Sequence, residues 1–542
     1  MKRENSWRRL AAAFFALFLA LGLFTAGDYG PSWDETDEMD IVRMNLWEYA
    51  RALGLDESAF EARAAHKDPA ALHQLTPISQ SVEQDHGAAA FYPMGWVVMN
   101  EALSPAQRSR LWHMGCWALF TLGAFALYAA CRELGLPRQA ALLGPLFLLL
   151  SPRFFAQGHY NNKDIALMAL ALCALWQALA LMRRPGFARG LCFAAFGALA
   201  ANAKVAGAAL WGLCALFVLM NLLARRRMSG RVWAVAGVTL AAFLGFYALI
   251  TPALWGDPGA FGRYLLQNAL AFQRWQNSVL FRGTVFDLTR QSLPWYYLPY
   301  MVFATTPVWA LFLIGLGTLG ACAAAVKRLR ARDADGLKPL LLVLMWTLPL
   351  GFAVLTRTHV YNGWRHFYFL YGPMLALAAW GAYALWRRLA RRRRAALAGI
   401  LGLCMAFSAV GLAAQHPYQY AYYQPLVRLR GADYNELDYW NLSVRDALVG
   451  LLEAEEGELS IAPADLWAED GLAKALEMLS GSQRARLRVC ALEDARFVLV
   501  NPTYLCFSQA VEPPERARVA LSSYGQCIMY IYEQPEKGGA QP

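Results

Sequence analysis

The feature that most limits the fold of this chain is a series of apolar segments, most of them close to the length that crosses a lipid bilayer. They lie at about 10–26, 111–131, 139–151, 165–182, 190–203, 205–223, 232–251, 298–326, 339–355, 367–386 and 395–415. Of the 542 residues, 58% are hydrophobic and only 16% are charged, against about 25% charged in a soluble domain. The sequence therefore predicts an all-α polytopic membrane protein with about 11 transmembrane helices.

Basic residues cluster in alternate, short connections between these segments, at 8–9, 132–138, 183–184, 225–227, 327–332 and 391–394. This is the positive-inside pattern. It predicts the cytoplasmic (inner) membrane, with the N-terminus in the cytoplasm and, after eleven crossings, the C-terminus outside. The net charge of +11 then reflects topology and not nucleic-acid binding. Because the first apolar run follows a basic start, a cleaved signal peptide is the alternative interpretation of it.

Two domains are predicted. Residues 1–415 form the transmembrane domain, with outer loops at 27–110, 151–164, 252–297 and 356–367. Helical spacing at 39–55 indicates an amphipathic helix, either on the membrane surface or packed on the bundle, and 259–275 is a candidate second surface helix.

The tail, 416–542, is more polar and is predicted as a small extracytoplasmic α/β domain. Helical patterns at 442–457 and 471–487 alternate there with short β-branched runs at 458–462, 495–500 and 527–533. An oxidising exterior would allow one disulfide among Cys490, Cys506 and Cys527, and the sequence does not choose the pair.

The densest acidic cluster directly follows the first apolar segment: Asp34, Glu35, Asp37, Glu38 and Asp40. A carboxylate at the outer membrane edge can take the proton from an attacking hydroxyl when it lies within hydrogen-bond reach. Adjacent residues such as Asp34 and Glu35 cannot face the same way on a helix or strand. A solvated acidic loop, or acidic residues favoured by the dipole of the next helix, would give the same pattern.

Two further outer loops hold cations against the topological preference. The first contains Arg153, His159, Asn161, Asn162, Lys163 and Asp164, and the second contains Arg357, His359, Trp364, Arg365 and His366. Lys204 interrupts apolar sequence, either within the membrane or in a tight outer turn at 203–205. Arg and Lys bind phosphate, although each cation could instead snorkel to lipid headgroups. ATP and nucleotide sugars are cytoplasmic, so a group carried by a lipid phosphate fits an outer site of this kind.

Four segments resemble the C-type integral-membrane glycosyltransferases, and within them the bacterial protein-mannosyltransferase-like branch related to aminoarabinose transferases. These segments are SWDE at 32–35, SPRFFAQGHYNNKD at 151–164, SLPWYYLPYMVFATTP at 292–307 and HVYNGWRHFYFLYGP at 359–373. HPYQYAYYQPLV and DYWNLS, at the start of the tail, resemble the continuation of that branch. The resemblance covers most of 1–445.

The resemblance implies a polyprenyl-phosphate-linked sugar donor. It implies that Asp34 is the general base and that Glu35 helps to position acceptor or donor phosphate. The expected donor-phosphate residues are Arg153, Lys163, Arg365, His366 and Lys204, and the expected acceptor or sugar residues are His159, Asn161, Asp164, Tyr361 and Trp364. Asn362 stands where relatives tend to have Asp, and Asn162 where they tend to have Pro. No metal ligand is therefore assigned, although a divalent metal remains possible.

The expected activity is inverting transfer of a hexosyl or pentosyl group from the lipid phosphate to a lipid, glycan or protein acceptor at the outer face of the membrane. An oligosaccharide ligase that uses a lipid diphosphate donor is the nearest alternative. A lipid or glycan transporter and an assembly protein that acts through its tail belong to other classes. A transporter would place ionisable residues at the membrane midplane.

Overall fold

The computed structural model describes residues 2–67, 74–270, 278–428, 434–504 and 514–535. Helices dominate the first four hundred residues. They are α1 Lys2–Thr25, α2 Glu35–Ala52, α3 Ser58–Ala65, α4 Gly95–Met99, α5 Pro105–Glu133, α6 Arg138–Ala141, α7 Leu143–Leu149, α8 Pro152–Tyr160, α9 Asn162–Arg183, α10 Phe187–Ala203, α11 Ala206–Ala224, α12 Gly230–Ile250, α13 Pro258–Leu270, α14 Tyr297–Thr305, α15 Val308–Arg330, α16 Leu337–Thr356, α17 Tyr371–Arg388 and α18 Arg391–Ala414.

The remaining elements are short. The helices are α19 Pro425–Arg428, α20 Val444–Ala454, α21 Leu466–Met478 and α22 Gly481–Arg484. The strands are β1 Ser278–Phe281, β2 Thr284–Asp287, β3 Leu459–Pro463, β4 Leu487–Val489, β5 Phe497–Val500, β6 Ala517–Ser523 and β7 Gln526–Glu533.

The predicted polytopic helical fold is confirmed, with fewer full-length spans than predicted. Within the described residues, 9 helices are long and apolar enough to cross a membrane, or up to 10 if the pair Arg138–Leu149 and Pro152–Tyr160, bent by 73°, is one span. The predicted segment at 190–203 lies in the apolar helix Phe187–Ala203, which has 17 residues. Each predicted apolar segment therefore falls on a helix, and the difference from eleven lies in helix length.

The bundle has two chemically different ends. At one end, basic residues pair with the few acidic residues nearby: Arg183 lies 2.8 Å from Glu133, and Arg225 lies 2.5 Å from Asp335. The opposite end is where α1 and α10 finish and where α2, α9 and α11 begin. The acidic cluster lies at this second end, separated from the basic connections by the full length of the helices.

Helices α15 and α17 cross at a contact between glycines, where a small residue lets two backbones approach. A Cβ atom at Gly317 would lie 2.0 Å from the carbonyl oxygen of Leu377, and one at Gly381 would lie 2.6 Å from the Cα of Gly317. Since both obstacles are backbone atoms, neither can move aside without separating the helices.

The tail contains a five-stranded sheet in the order β4-β3-β5-β7-β6. Strand β3 pairs in parallel with β4 and β5, whereas β7 pairs antiparallel with β5 and β6. Helices α20 and α21 cover one face over a core that includes Leu448, Leu472 and Ile531. The predicted α/β tail is confirmed, including strands β3, β5 and β7; β4, the edge strand β6 and the hairpin β1–β2 were not predicted.

Two further helices were predicted in the outer regions. The pattern at 39–55 forms α2, whose buried residues include Met39, Val42 and Trp47, so this helix is packed into the protein. The pattern at 259–275 forms α13, and 271–277 lies outside the described residues. Cys490 and Cys527 are both free thiols, and Cys506 lies outside the described residues.

The glycine contact gives a test of the bundle. We expect Gly317→Val to lower the free energy of unfolding by at least about 1–3 kcal/mol, the usual penalty of overpacking. Gly315→Val, on the same helix with no heavy atom within 4 Å of the added Cβ, is the matched control. Thermal unfolding in detergent measures both, and equal midpoints would contradict the close approach.

Candidate active site

The acidic stretch forms the start of α2. Asp34 is the residue before the helix and makes no side-chain capping bond, while Glu35, Asp37 and Glu38 occupy the first turn. Negative charge is favoured at this end of a helix dipole. Ser32 Oγ donates a hydrogen bond of 3.0 Å to Asp34 Oδ1, and the Asp34 side chain remains partly exposed.

The charged groups around Asp34 have opposite effects on its pKa. Desolvation by burial and the negative charge of Glu38 raise the pKa of Asp34 to about 6. Three cations act in the opposite direction, Arg365, Lys163 and Lys474. Asp34 is therefore an ionised carboxylate at neutral pH that still binds a proton readily just below it.

Glu35 points into the protein, away from the surface that Asp34 faces. Its side chain is 3% exposed, and its Oε2 lies 2.7 Å from Nε2 of His113. The other ring nitrogen of His113 lies 3.0 Å from the carbonyl oxygen of Ala26. This pairing ties the start of α2 to α5 and favours a structural role; contact of Glu35 with acceptor or phosphate stays a prediction.

Lys163 reaches the same helix from α9. It forms an ion pair with Glu38, and its Nζ lies 3.2 Å from Nδ1 of His86. Asn162, the residue found in place of the expected Pro, donates a 3.0 Å hydrogen bond to Glu38 Oε2. Glu38 therefore fixes the start of α9 against α2, one helical turn after Asp34.

Asp164 is the centre of a second charged group. It is 2% exposed and forms an ion pair with Lys204, and its Oδ2 lies 3.9 Å from Arg365 Nη1. Asn161 donates a 3.0 Å hydrogen bond to the same oxygen. Lys204 lies in the turn between α10 and α11, as the tight-turn interpretation predicts, and burial lowers its pKa against the opposing charge of Asp164. Asp164 thus has cation partners, and its proposed contact with substrate stays a prediction.

Arg365 is enclosed by aromatic rings. The centre of its guanidinium lies 4.6 Å from the ring of Trp440, 4.9 Å from Tyr361 and 5.4 Å from Tyr439. Rings at these distances attract the cation by their quadrupoles. Among the described residues, its Nε has no hydrogen-bond partner, and neither has Nδ1 of the neighbouring His366. Both nitrogens are buried polar atoms that a bound oxygen-rich group could satisfy.

Arg153 lies beside the same loop. Its Nε donates a 2.9 Å hydrogen bond to the carbonyl oxygen of Tyr422, and its guanidinium lies 4.4 Å from the Tyr423 ring. Its Nη2 has no hydrogen-bond partner in the part of the chain that the structure describes. A Cβ atom on Gly363 would lie 4.0 Å from its Nη1. Arg153 and Arg365 both act on the charge of buried Glu436, so the two predicted phosphate-binding arginines share one neighbourhood.

Two predicted sugar residues have core partners instead. His159 is fully buried and stacks between Tyr29 and Trp117, with ring centroids 4.4 Å and 4.3 Å away. Trp364 is 2% exposed and donates a 2.8 Å hydrogen bond from Nε1 to Thr305 Oγ1. Their contact with acceptor or sugar stays a prediction, and both stabilise the framework below the charged groups.

The tail contributes residues that sequence reasoning did not assign to the site. Tyr439 and Trp440 contact Arg365, and Lys474 on α21 lies 3.9 Å from Asp37. Burial raises the pKa of Glu436 to about 8. In the sequence, the adjacent aromatic residues of the segment DYWNLS are the pattern that could have indicated a contact with the site. No sequence pattern indicates Lys474.

Possible metal ligands lie apart from one another in the described part of the chain. Across the described ranges, no three His, Cys, Asp or Glu side chains lie close enough together to hold an ion. Asn362, where relatives tend to have Asp, has a left-handed backbone with φ of 51°, which Asn tolerates better than most residues. Metal dependence stays open as a prediction.

Comparison with known proteins gives only distant matches. No family model matches the chain, and no curated protein does. Among solved structures, the chain is similar to apo ArnT from Cupriavidus metallidurans, at 15% identity and a TM-score of 0.46, over 96% of this chain and 98% of that one.

The same ArnT bound to undecaprenyl phosphate matches at 13% identity and a TM-score of 0.42, over 96% and 97%. The archaeal oligosaccharyltransferase AglB from Archaeoglobus fulgidus, in complex with an inhibitory peptide and a dolichol-phosphate, matches at 12% identity and a TM-score of 0.46, over 88% of this chain and 65% of that one. The likeness is too weak to transfer a function, and the mannosyltransferase-like branch stays a prediction.

The different settings of the two adjacent carboxylates predict different effects on stability. We expect Glu35→Ala to lower the free energy of unfolding by about 1–3 kcal/mol, since buried His113 loses its hydrogen-bond partner. Asp34→Asn should not lower it at pH 7.5, because a carboxylate whose pKa is raised in the folded state disfavours folding once it is ionised. Thermal unfolding of wild type and of both variants is the measurement. A loss of stability only in Asp34→Asn would reverse the structural role assigned to Glu35.

Proposed function

We propose that this chain is an inverting glycosyltransferase that moves a sugar from a polyprenyl-phosphate donor to an acceptor at the outer face of the membrane, with Asp34 as the general base. The observation that carries the proposal is the setting of Asp34: a partly exposed carboxylate with a pKa of about 6, beside buried cations with unused donors. A base is most effective when its pKa lies close to the working pH.

The ion pairs of the cations indicate that the lysines and the arginines have different roles. Lys163 and Lys204 already have carboxylate partners, Glu38 and Asp164, so they hold the site together. Arg365 and Arg153 each keep a nitrogen without a hydrogen-bond partner among the described residues, and we assign these groups to the oxygens of the lipid phosphate. Donors fixed before the reaction stabilise charge that develops on a leaving group.

The proposed step balances without a cofactor. The acceptor oxygen or nitrogen attacks the anomeric carbon and forms the new bond, while its proton passes to Asp34. The bond from the anomeric carbon to the phosphate oxygen breaks, and its electron pair leaves with the polyprenyl phosphate. A single displacement of this kind inverts the anomeric configuration. Tyr361, Asn161 and Asp164 are the residues that we assign to sugar or acceptor contacts.

A transporter is disfavoured by the position of the charges. Asp34, Asp164 and Lys204 lie at helix ends or in turns at one end of the bundle, whereas transport sites lie near the membrane midplane. A ligase using a lipid diphosphate would employ the same donors, and only the choice of donor separates it from the proposal.

The proposed base predicts a large effect of one isosteric change. We expect Asp34→Asn to lower transfer from a radiolabelled polyprenyl-phosphate hexose by about 10²–10⁴-fold, the range attributed to general bases. Asp37→Asn, three residues along the same stretch, removes the same charge and should retain activity. Release of sugar by purified protein in lipid, to water or to acceptors of a membrane extract, is the measurement. Equal rates for wild type and Asp34→Asn would rule out this base.

The charges around Asp34 also predict the pH dependence. Below about pH 6 the carboxylate is protonated, so the transfer rate should fall about tenfold per pH unit. Lys474→Gln removes a cation that lowers the pKa of Asp34 and should move this acidic limb to higher pH, whereas Lys474→Arg should leave it in place. Initial transfer rates between pH 4.5 and 8 give the acidic side of the pH–rate profile. The same fall in rate with pH in Asp34→Asn would contradict the assignment of Asp34 as the base.

A further inference from the structure

An apolar crevice lies at the end of the bundle opposite Asp34. It has a volume of about 340 Å³ between α10, α11 and α12, which is within the size range of ligand pockets. Apart from the indole N–H groups of two tryptophans, the only polar group of its lining is the hydroxyl of Thr239, which donates to the carbonyl oxygen of Val235. The crevice thus offers mainly contacts to hydrocarbon.

Several arginines lie near this crevice. Arg183 and Arg225 have carboxylate partners, Glu133 and Asp335. In contrast, the side chains of Arg184, Arg226 and Arg231 are exposed and make no ion pair with any described residue. Each of these three lies, along the chain, within two residues of the crevice lining.

The chain positions make this relation explicit. Arg184 directly precedes the lining residue Pro185, and Arg231 directly precedes Val232. Arg226 lies two residues before Met228, which also lines the crevice. Three positive charges with no carboxylate partner among the described residues are therefore next or close in the chain to residues that line an apolar space. Trp233, 56% exposed, adds an aromatic ring of the kind that favours the membrane interface.

We propose that this crevice binds one anionic phospholipid, with an acyl chain between α10, α11 and α12 and the phosphate at Arg184, Arg226 and Arg231. Basic groups beside a gap between membrane helices fit a lipid headgroup of opposite charge, and lipid is the solvent in contact with these helices. The site is separate from the proposed transfer reaction, and the proposal does not depend on that reaction.

The test uses the purified, delipidated full chain in a non-ionic detergent and measures retention of radiolabelled dioleoyl phosphatidylglycerol on immobilised protein. Dioleoyl phosphatidylcholine carries the same acyl chains and serves as the neutral probe. We expect phosphatidylglycerol to bind at least tenfold more tightly. The triple variant Arg184→Gln, Arg226→Gln and Arg231→Gln should reduce that preference at least fivefold.

The matched control is the triple variant Arg391→Gln, Arg392→Gln and Arg393→Gln. These exposed arginines begin α18 at the same end and do not line the crevice, so the change in charge is equal. This control variant should keep the preference for phosphatidylglycerol. Equal binding of the two lipids to wild type, or an equal loss in both triple variants, would overturn the proposal. Elution volume and unfolding midpoint confirm that each variant is folded.

Discussion

The buried charge of Asp164 sets the arrangement of the functional end of the molecule. A carboxylate that is 2% exposed is tolerated only with cations and hydrogen bonds around it. Those partners come from separate parts of the chain: Asn161 before α9, Lys204 between α10 and α11, and Arg365 before α17. Satisfying one carboxylate therefore brings three helix ends together and holds Arg365 in a fixed position beside Asp34.

A second pairing extends this arrangement to α2. Glu38 holds Lys163 and Asn162, and Glu35 holds His113, so both glutamates of the first turn after Asp34 have partners. Asp34 is left with a hydroxyl as its hydrogen-bond partner. The structure thus separates acidic residues that fix the helix from Asp34, the residue that we propose as the base.

Much of this could be predicted because a membrane simplifies the physics. Helix positions follow from apolar length, and the gathering of Asp34, Lys163 and Arg365 at one end follows from alternating connections. The side chains of adjacent residues at the start of α2 had to point in different directions, since each residue turns the helix by about 100°. The sequence could not say which carboxylate turns inward, because that depends on His113, a residue 78 positions away. The roles of Trp440 and Lys474 depend on how the tail packs on the bundle, and local patterns do not record such contacts.

The contact between Trp33 and the tail has a consequence for how the protein is made. The backbone N–H of Trp33 donates to the carbonyl oxygen of Trp440, 3.2 Å away, and its ring meets that of Trp467 at 5.2 Å. The carboxylate next to Trp33 is therefore synthesised long before the tail residues Trp440 and Trp467 that contact Trp33. A nascent chain therefore has its acidic turn before it has the tail residues that contact Trp33 and the tail rings, Tyr439 and Trp440, that contact Arg365. A chain that ends before Trp440 lacks these contacts, although the ion pairs of Glu38 with Lys163 and of Asp164 with Lys204 need no residue of the tail.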